Sequence, residues 1–78
     1  MSDSLIRSNT SGRYYSVKKS IRVIDHKQAT LYMSNGVYFI DAYASKDRKT
    51  NEPIMVYVYE KNDQTQRLYE LWKKGALK

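Results

Sequence analysis

Two stretches, Val37–Ala44 (VYFIDAYA) and Ile54–Glu60 (IMVYVYE), are dense in β-branched and aromatic residues, and a polar, charged insert, Ser45–Pro53 (SKDRKTNEP), separates them. Branched and planar side chains suit a pleated, half-buried surface, where they pack against cross-strand neighbours. The pattern predicts a β-hairpin in the middle of the chain. With 78 residues in all, that hairpin leaves room for one small domain and little else. Residues 1–12, rich in Ser, Asn, Thr and Gly, read as a flexible N-terminal arm, and residues 13–78 as the single domain.

A core this small is marginal, and the chain has no cysteine, so no disulfide reinforces it. The same absence excludes a thiol nucleophile and a cysteine zinc site. The one histidine, His26, excludes a multi-histidine metal site. Stability must come from the sheet and whatever covers it, or from a second subunit.

Ahead of the hairpin, Arg13–Asp25 (RYYSVKKSIRVID) places Tyr15, Val17, Ile21 and Val23 at alternating positions, with an interruption at Lys18-Lys19-Ser20. This reads as a first strand with a bend or bulge. Ala29–Met33 (ATLYM) reads as a second strand, followed by Ser34-Asn35-Gly36. Asn-Gly between apolar strands signals a type I′ turn, whose two central residues need positive φ. A two-residue loop would set Met33 opposite Tyr38, Tyr32 opposite Phe39 and Leu31 opposite Ile40. Side chains then sort by face. Ile54, Val56 and Val58 form an aliphatic side, and Tyr32, Phe39, Tyr43, Tyr57 and Tyr59 are expected together on the other.

The C-terminal segment, Asp63–Lys74 (DQTQRLYELWKK), reads as a helix. Asp63 is its expected N-cap, and Leu68, Leu71 and Trp72 make an apolar stripe at i, i+3, i+4. Lys73 and Lys74 suit the negative end of the helix dipole, and Gly75 suits the C′ position. Trp72 is the expected anchor between helix and sheet. The fold expected is α+β: a small three- to four-stranded, mainly antiparallel sheet with one C-terminal helix on its aliphatic face. In the alternative, residues 67–72 are a strand that closes a small SH3-like β-barrel.

Catalysis finds little support. The sequence holds no GxSxG elbow, P-loop or HExxH motif. His26 lies between Asp25 and Lys27 in an expected turn, where neighbouring side chains diverge. Asp41 interrupts an otherwise apolar strand, as a specificity residue or as a paired carboxylate at a sheet edge. No catalytic residue, cofactor or metal is expected.

Binding is better supported. The formal charge is +6, which favours anionic partners. Basic and aromatic residues are interleaved: Lys and Arg supply the salt-dependent phosphate attraction, and tyrosine rings stack on bases. The residues expected to contact nucleic acid are Arg13, Lys18, Lys19, Arg22, Lys46, Arg48 and Lys49, with Tyr32, Tyr43, Tyr57 and Tyr59 beside them. An RNP1 consensus and a KH-type GxxG loop are absent. The leading expectation is therefore a small non-enzymatic protein that binds nucleic acid or a nucleoprotein complex. The alternative is an inhibitor or adaptor, of the kind phages and mobile elements encode, that engages an acidic surface on a host protein. Homodimer formation is compatible with either. No apolar run approaches the ~20 residues of a membrane span, and the N-terminus lacks a secretory h-region. The cytoplasm is the expected location.

Overall fold

The computed structural model describes residues 5–78. In chain order the elements are β1 (Leu5–Arg7), β2 (Tyr14–Ser16), β3 (Ser20–Val23), α1 (His26–Ser34), β4 (Asp41–Lys46), β5 (Pro53–Glu60) and α2 (Asp63–Lys73). The fold is α+β. An antiparallel three-stranded sheet has the order β3-β5-β4, and β1 and β2 form a separate antiparallel pair. The described strands do not close into a barrel. No described helix is long and apolar enough to cross a membrane.

The central hairpin forms, with β5 as the middle strand. Asp41 pairs with Val58, Tyr43 with Val56 and Lys46 with Pro53. Its loop is closed by the Asp47 amide donating to the Glu52 carbonyl (2.9 Å). The Asp47 carboxylate accepts from the Lys49 amide at 2.7 Å, the local bond that suits Asp to turns. Asn51 takes a positive φ of 61°, which Asn tolerates better than most side chains. β4 begins at Asp41 rather than Val37, because Val37 and Phe39 turn aside to pack on the core.

The expected second strand is a helix, α1, and the expected Asn35-Gly36 hairpin turn is its C-terminal cap. Asp25 caps the N-terminus by accepting from the Gln28 amide at 3.0 Å. At the other end Gly36 has φ 82°. Its amide donates to the Met33 carbonyl (3.0 Å), and the Val37 amide to the Tyr32 carbonyl (3.0 Å), the paired bonds of a Schellman motif. Lys27, Gln28, Ala29, Leu31 and Met33 are good helix formers, and Gln28, Ala29 and Tyr32 bury one face. The cross-strand pairs expected around Asn35-Gly36 therefore do not form.

The expected first strand is divided at its interruption into β2 and β3. Within the expected N-terminal arm, residues 1–4 lie outside the described residues, and Leu5–Arg7 pairs with β2 as β1. The C-terminal helix stands one residue from its expected cap. Asn62 caps α2, accepting from the Thr65 amide (2.9 Å) while its own amide donates to Thr65 Oγ1 (2.9 Å), a capping box. Gly75 closes α2 with a second Schellman motif: its amide donates to the Trp72 carbonyl and the Ala76 amide to the Leu71 carbonyl. Leu68 is the buried member of the stripe. Trp72 is half-buried at the margin of the core and is not its main anchor.

The choice of face is the main correction. Both helices cover the side of the sheet that carries Ile21, Val23, Tyr57 and Tyr59, and the core is built from Val23, Ala29, Tyr32, Val37, Tyr59, Leu68 and Leu77. The tyrosine side is the side the helices cover. Burial is tolerated because the hydroxyls find partners: Tyr59 donates to the Ala29 carbonyl (3.3 Å), and Tyr32 accepts from Gln28 Nε2 (3.0 Å). The Tyr32 and Tyr59 rings meet edge-on at 5.1 Å. The aliphatic side holds Val56 and Val58 beside Tyr43 and Asp41, and the β1–β2 pair is tied to it.

Candidate functional site

Asp41 makes that tie. It is 1% exposed and stands beside Val58 on the helix-free face. Its carboxylate accepts from the Asn9 amide (2.8 Å), the Ala42 amide (2.8 Å), the Tyr15 hydroxyl (2.8 Å) and, at 3.4 Å, Ser8 Oγ. The single Ser8 hydroxyl proton goes chiefly to the Ile40 carbonyl at 2.6 Å, which leaves Asp41 the weaker share. Burial, the strongest influence, pushes the Asp41 carboxyl up, but the bonds from Tyr15, Asn9, Ala42 and Ser8 together outweigh it and hold the carboxyl below the ordinary value. Burial and the bond to Asp41 push the Tyr15 phenol up to about 12. The hydrogen bonds satisfy a charge that would otherwise be costly to bury, and they lock Tyr15 in place. Asp41 is a clasp between the β1–β2 pair and the sheet.

The clasp creates a groove of about 720 Å³ between the β1–β2 pair and the end of the sheet. Arg13, Tyr14, Tyr15, Lys19, Phe39 and Glu60 are among its lining residues. Tyr14 is 68% exposed and offers a ring face. Arg13 and Lys19 are exposed and carry positive charge against the single negative charge of Glu60. Tyr15 is a fixed wall, because its hydroxyl is committed to Asp41. An exposed aromatic ring beside two cations, on a preorganised wall, can stack a planar ring and hold an anion next to it.

The residues expected to contact nucleic acid do not gather in one place. Arg13 and Lys19 meet at the groove, and Lys18 precedes Lys19 in the exposed turn before β3. Arg22 is exposed on β3, in register with Val58 and so in line with Asp41 across the sheet. Lys46, Arg48 and Lys49 are exposed at the β4–β5 tip. The six residues of β4 put that tip ~20 Å from the groove, at about 3.3 Å per strand residue. Tyr32 and Tyr59 are each 0% exposed and offer no surface to a partner. Tyr43 and Tyr57 are half-buried, and the Tyr57 ring packs against Phe39 at 5.5 Å. His26 is exposed on the first turn of α1, with Nδ1 3.4 Å from the Tyr57 hydroxyl. Among the described residues, no group of three or more His, Cys, Asp or Glu is placed to hold a metal ion.

Tyr14 and Phe39 were missed as groove residues. Tyr14 had a signal, since it lies inside the run Arg13-Tyr14-Tyr15. Phe39 had none, because only the tertiary fold brings residue 39 beside residues 13–15. In comparisons with known proteins, no family model, curated protein or solved structure matches this chain.

Proposed function

We propose that this protein is a non-enzymatic binder of single-stranded nucleic acid, with little sequence preference, and that the groove walled by Tyr15 is its contact site. The observation that carries the reading is the juxtaposition of the exposed Tyr14 ring with Arg13 and Lys19 in one groove. In this reading Tyr14 stacks a base, a contact worth ~1–3 kcal/mol in single-strand binders. Arg13 and Lys19 neutralise adjacent phosphates. The net charge of +6 draws the polyanion in, and Lys46, Arg48 and Lys49 continue the path for a longer strand.

The test is fluorescence anisotropy with labelled oligo(dT) and oligo(U) over a range of salt. Binding should weaken steeply as salt rises. Arg13→Ala with Lys19→Ala should flatten the log–log salt slope by roughly 1.4, at about 0.7 per phosphate contact on a single strand. Tyr14→Ala should weaken binding at every salt concentration and leave the slope unchanged. Absence of binding at low salt, or full affinity in both the double variant and Tyr14→Ala, refutes the reading and moves the assignment to a protein-binding inhibitor or adaptor.

A further inference from the structure

We propose that the open edge of β3 takes up an acidic peptide segment in extended conformation, as an additional strand of the main sheet. The inference is independent of the nucleic-acid reading and concerns a different surface. β3 lies at one edge of the sheet. The Lys61 amide donates to the Lys19 carbonyl at 2.8 Å, and Ser20 pairs with Glu60, Ile21 with Tyr59 and Arg22 with Val58. In an antiparallel ladder the hydrogen-bonded pairs alternate, so residues 19, 21 and 23 direct their backbone groups to β5, and residues 20, 22 and 24 direct theirs outward. The Ser20 amide turns back to the Val17 carbonyl at 3.4 Å. Among the described residues, the Arg22 amide and carbonyl and the Ile24 amide are left facing the edge.

A groove of about 500 Å³ runs along this edge, with Arg22, Ile24 and Asp25 on one side and Lys61, Gln66 and Tyr69 on the other. Ile24 is 62% exposed and Tyr69 41%. A strand edge beside a helix, with apolar side chains along the groove, is the arrangement by which sheets accept a guest strand. Charge selects the occupant. By register with Val58 the Arg22 side chain stands on the helix-free side of the edge, and Lys61 lines the groove on the helix side. Acidic guest side chains therefore meet a cation on either face, two positive charges against the one negative charge of Asp25, whose carboxylate caps α1. A second copy is disfavoured, because it would bring +6 against +6 and one Arg22 toward another. The edge of β4 is less available. The alternation there, phased by the Asp47 amide bond to Glu52, turns the Ala42 amide outward, and the Asp41 carboxylate already occupies that amide at 2.8 Å.

The test uses the full chain, isotope-labelled, and a short peptide alternating Glu with Val and Thr, with a Lys-for-Glu peptide as control. The acidic peptide should shift the Arg22 and Ile24 amide resonances and slow their hydrogen exchange. Arg22→Glu with Lys61→Glu should weaken its binding about tenfold or more. Ile24→Pro should also weaken binding by removing an edge donor, and a thermal melt checks that it folds; if it does not, the charge-reversal variant alone decides. No peptide-induced shifts at low salt, equal binding of both peptides, or protection at Ala42 in place of Arg22 overturns the proposal. So does concentration-dependent dimerisation through β3 in the absence of peptide.

Discussion

Replacing Asp41 with Asn removes the charge of the clasp and keeps its shape. The amide oxygen of Asn can still accept from the Asn9 and Ala42 amides, and its NH2 group can donate to Tyr15. The loss is confined to charge assistance. Hydrogen bonds to a charged group contribute ~1.5–3 kcal/mol and neutral ones ~0.5–1.5 kcal/mol. Three bonds of 2.8 Å are involved, but they share one carboxylate and do not add, so a total cost of about 1–3 kcal/mol is expected. Asp41→Ala strands three donors and should cost more, about 3–5 kcal/mol, in line with the loss of a buried charge network. For a domain of this size each kcal/mol lowers Tm by about 4–8 °C. The assay is urea and thermal unfolding, followed by native-state hydrogen exchange. Exchange should rise first at the amides of β1 and β2, because Asp41 ties that pair to the sheet and the helical core lies on the other face. In a double-mutant cycle with Tyr15→Phe, a coupling of ~0.5–3 kcal/mol is the expected sign of a shared network. A Tm unchanged in both Asn and Ala variants refutes the clasp. Exchange that rises equally throughout the chain refutes its confinement to the hairpin.

The pH dependence has two arms. The Asp41 carboxyl lies below its ordinary value in the fold, so its contribution is present above about pH 4 and is lost as pH falls through the folded pKa. Tyr15 and Tyr59 are pushed up to about 12, so their contribution is intact below the unfolded tyrosine value of about 10 and is lost as pH rises from there toward 12; a stability curve flat across pH 10–12 contradicts this. Gly36→Ala places a Cβ at φ 82° with no atom within 4 Å, so the cost is backbone strain alone, roughly 1–2 kcal/mol, read as a lowered Tm. Leu68→Ala should cost ~2–5 kcal/mol as a buried aliphatic truncation. Trp72→Ala should leave a folded protein and cost less than the ~3–5 kcal/mol of a fully buried aromatic; complete unfolding of the Trp72 variant would restore that residue as the core anchor.

Signals that act within a few residues were legible in the sequence. The β-branched and aromatic density of Ile54–Glu60, the polar loop after β4 and the apolar stripe of α2 follow from periodicity. Gly75 was recognisable as a C′ residue, because a left-handed position after a helix wants no Cβ. The interruption at Lys18-Lys19-Ser20 marked the break between β2 and β3. The cap of α2 was missed by one residue, since Asn62 and Asp63 both carry a capping oxygen and only the reciprocal bond with Thr65 distinguishes them. Of the binding residues, Arg13 and Lys19 were marked by local charge and meet in the groove, whereas Tyr32 and Tyr59 were marked by type and are lost to the core.

What the sequence by itself determined is the set of local conformations: a strand where branched and aromatic residues cluster, a helix where the period and the cap agree, and positive φ at Gly36. Tertiary structure decided what those conformations serve. As letters, Asn35-Gly36 suit a type I′ turn, with positive φ at both residues, or a Schellman cap, with positive φ at the glycine alone. Asn35 takes φ −96°, and the helix prevails because Gln28, Ala29 and Tyr32 bury one face against β5 and α2. Both faces of β5 are apolar enough to be covered. The helices take the tyrosine side because its rings fill the gap between layers and the Tyr59 hydroxyl reaches the Ala29 carbonyl, 30 residues away in the chain. Asp41 is unremarkable as a letter in an apolar strand. Its role as a clasp depends on Ser8, Asn9 and Tyr15, and only the fold brings those donors to it.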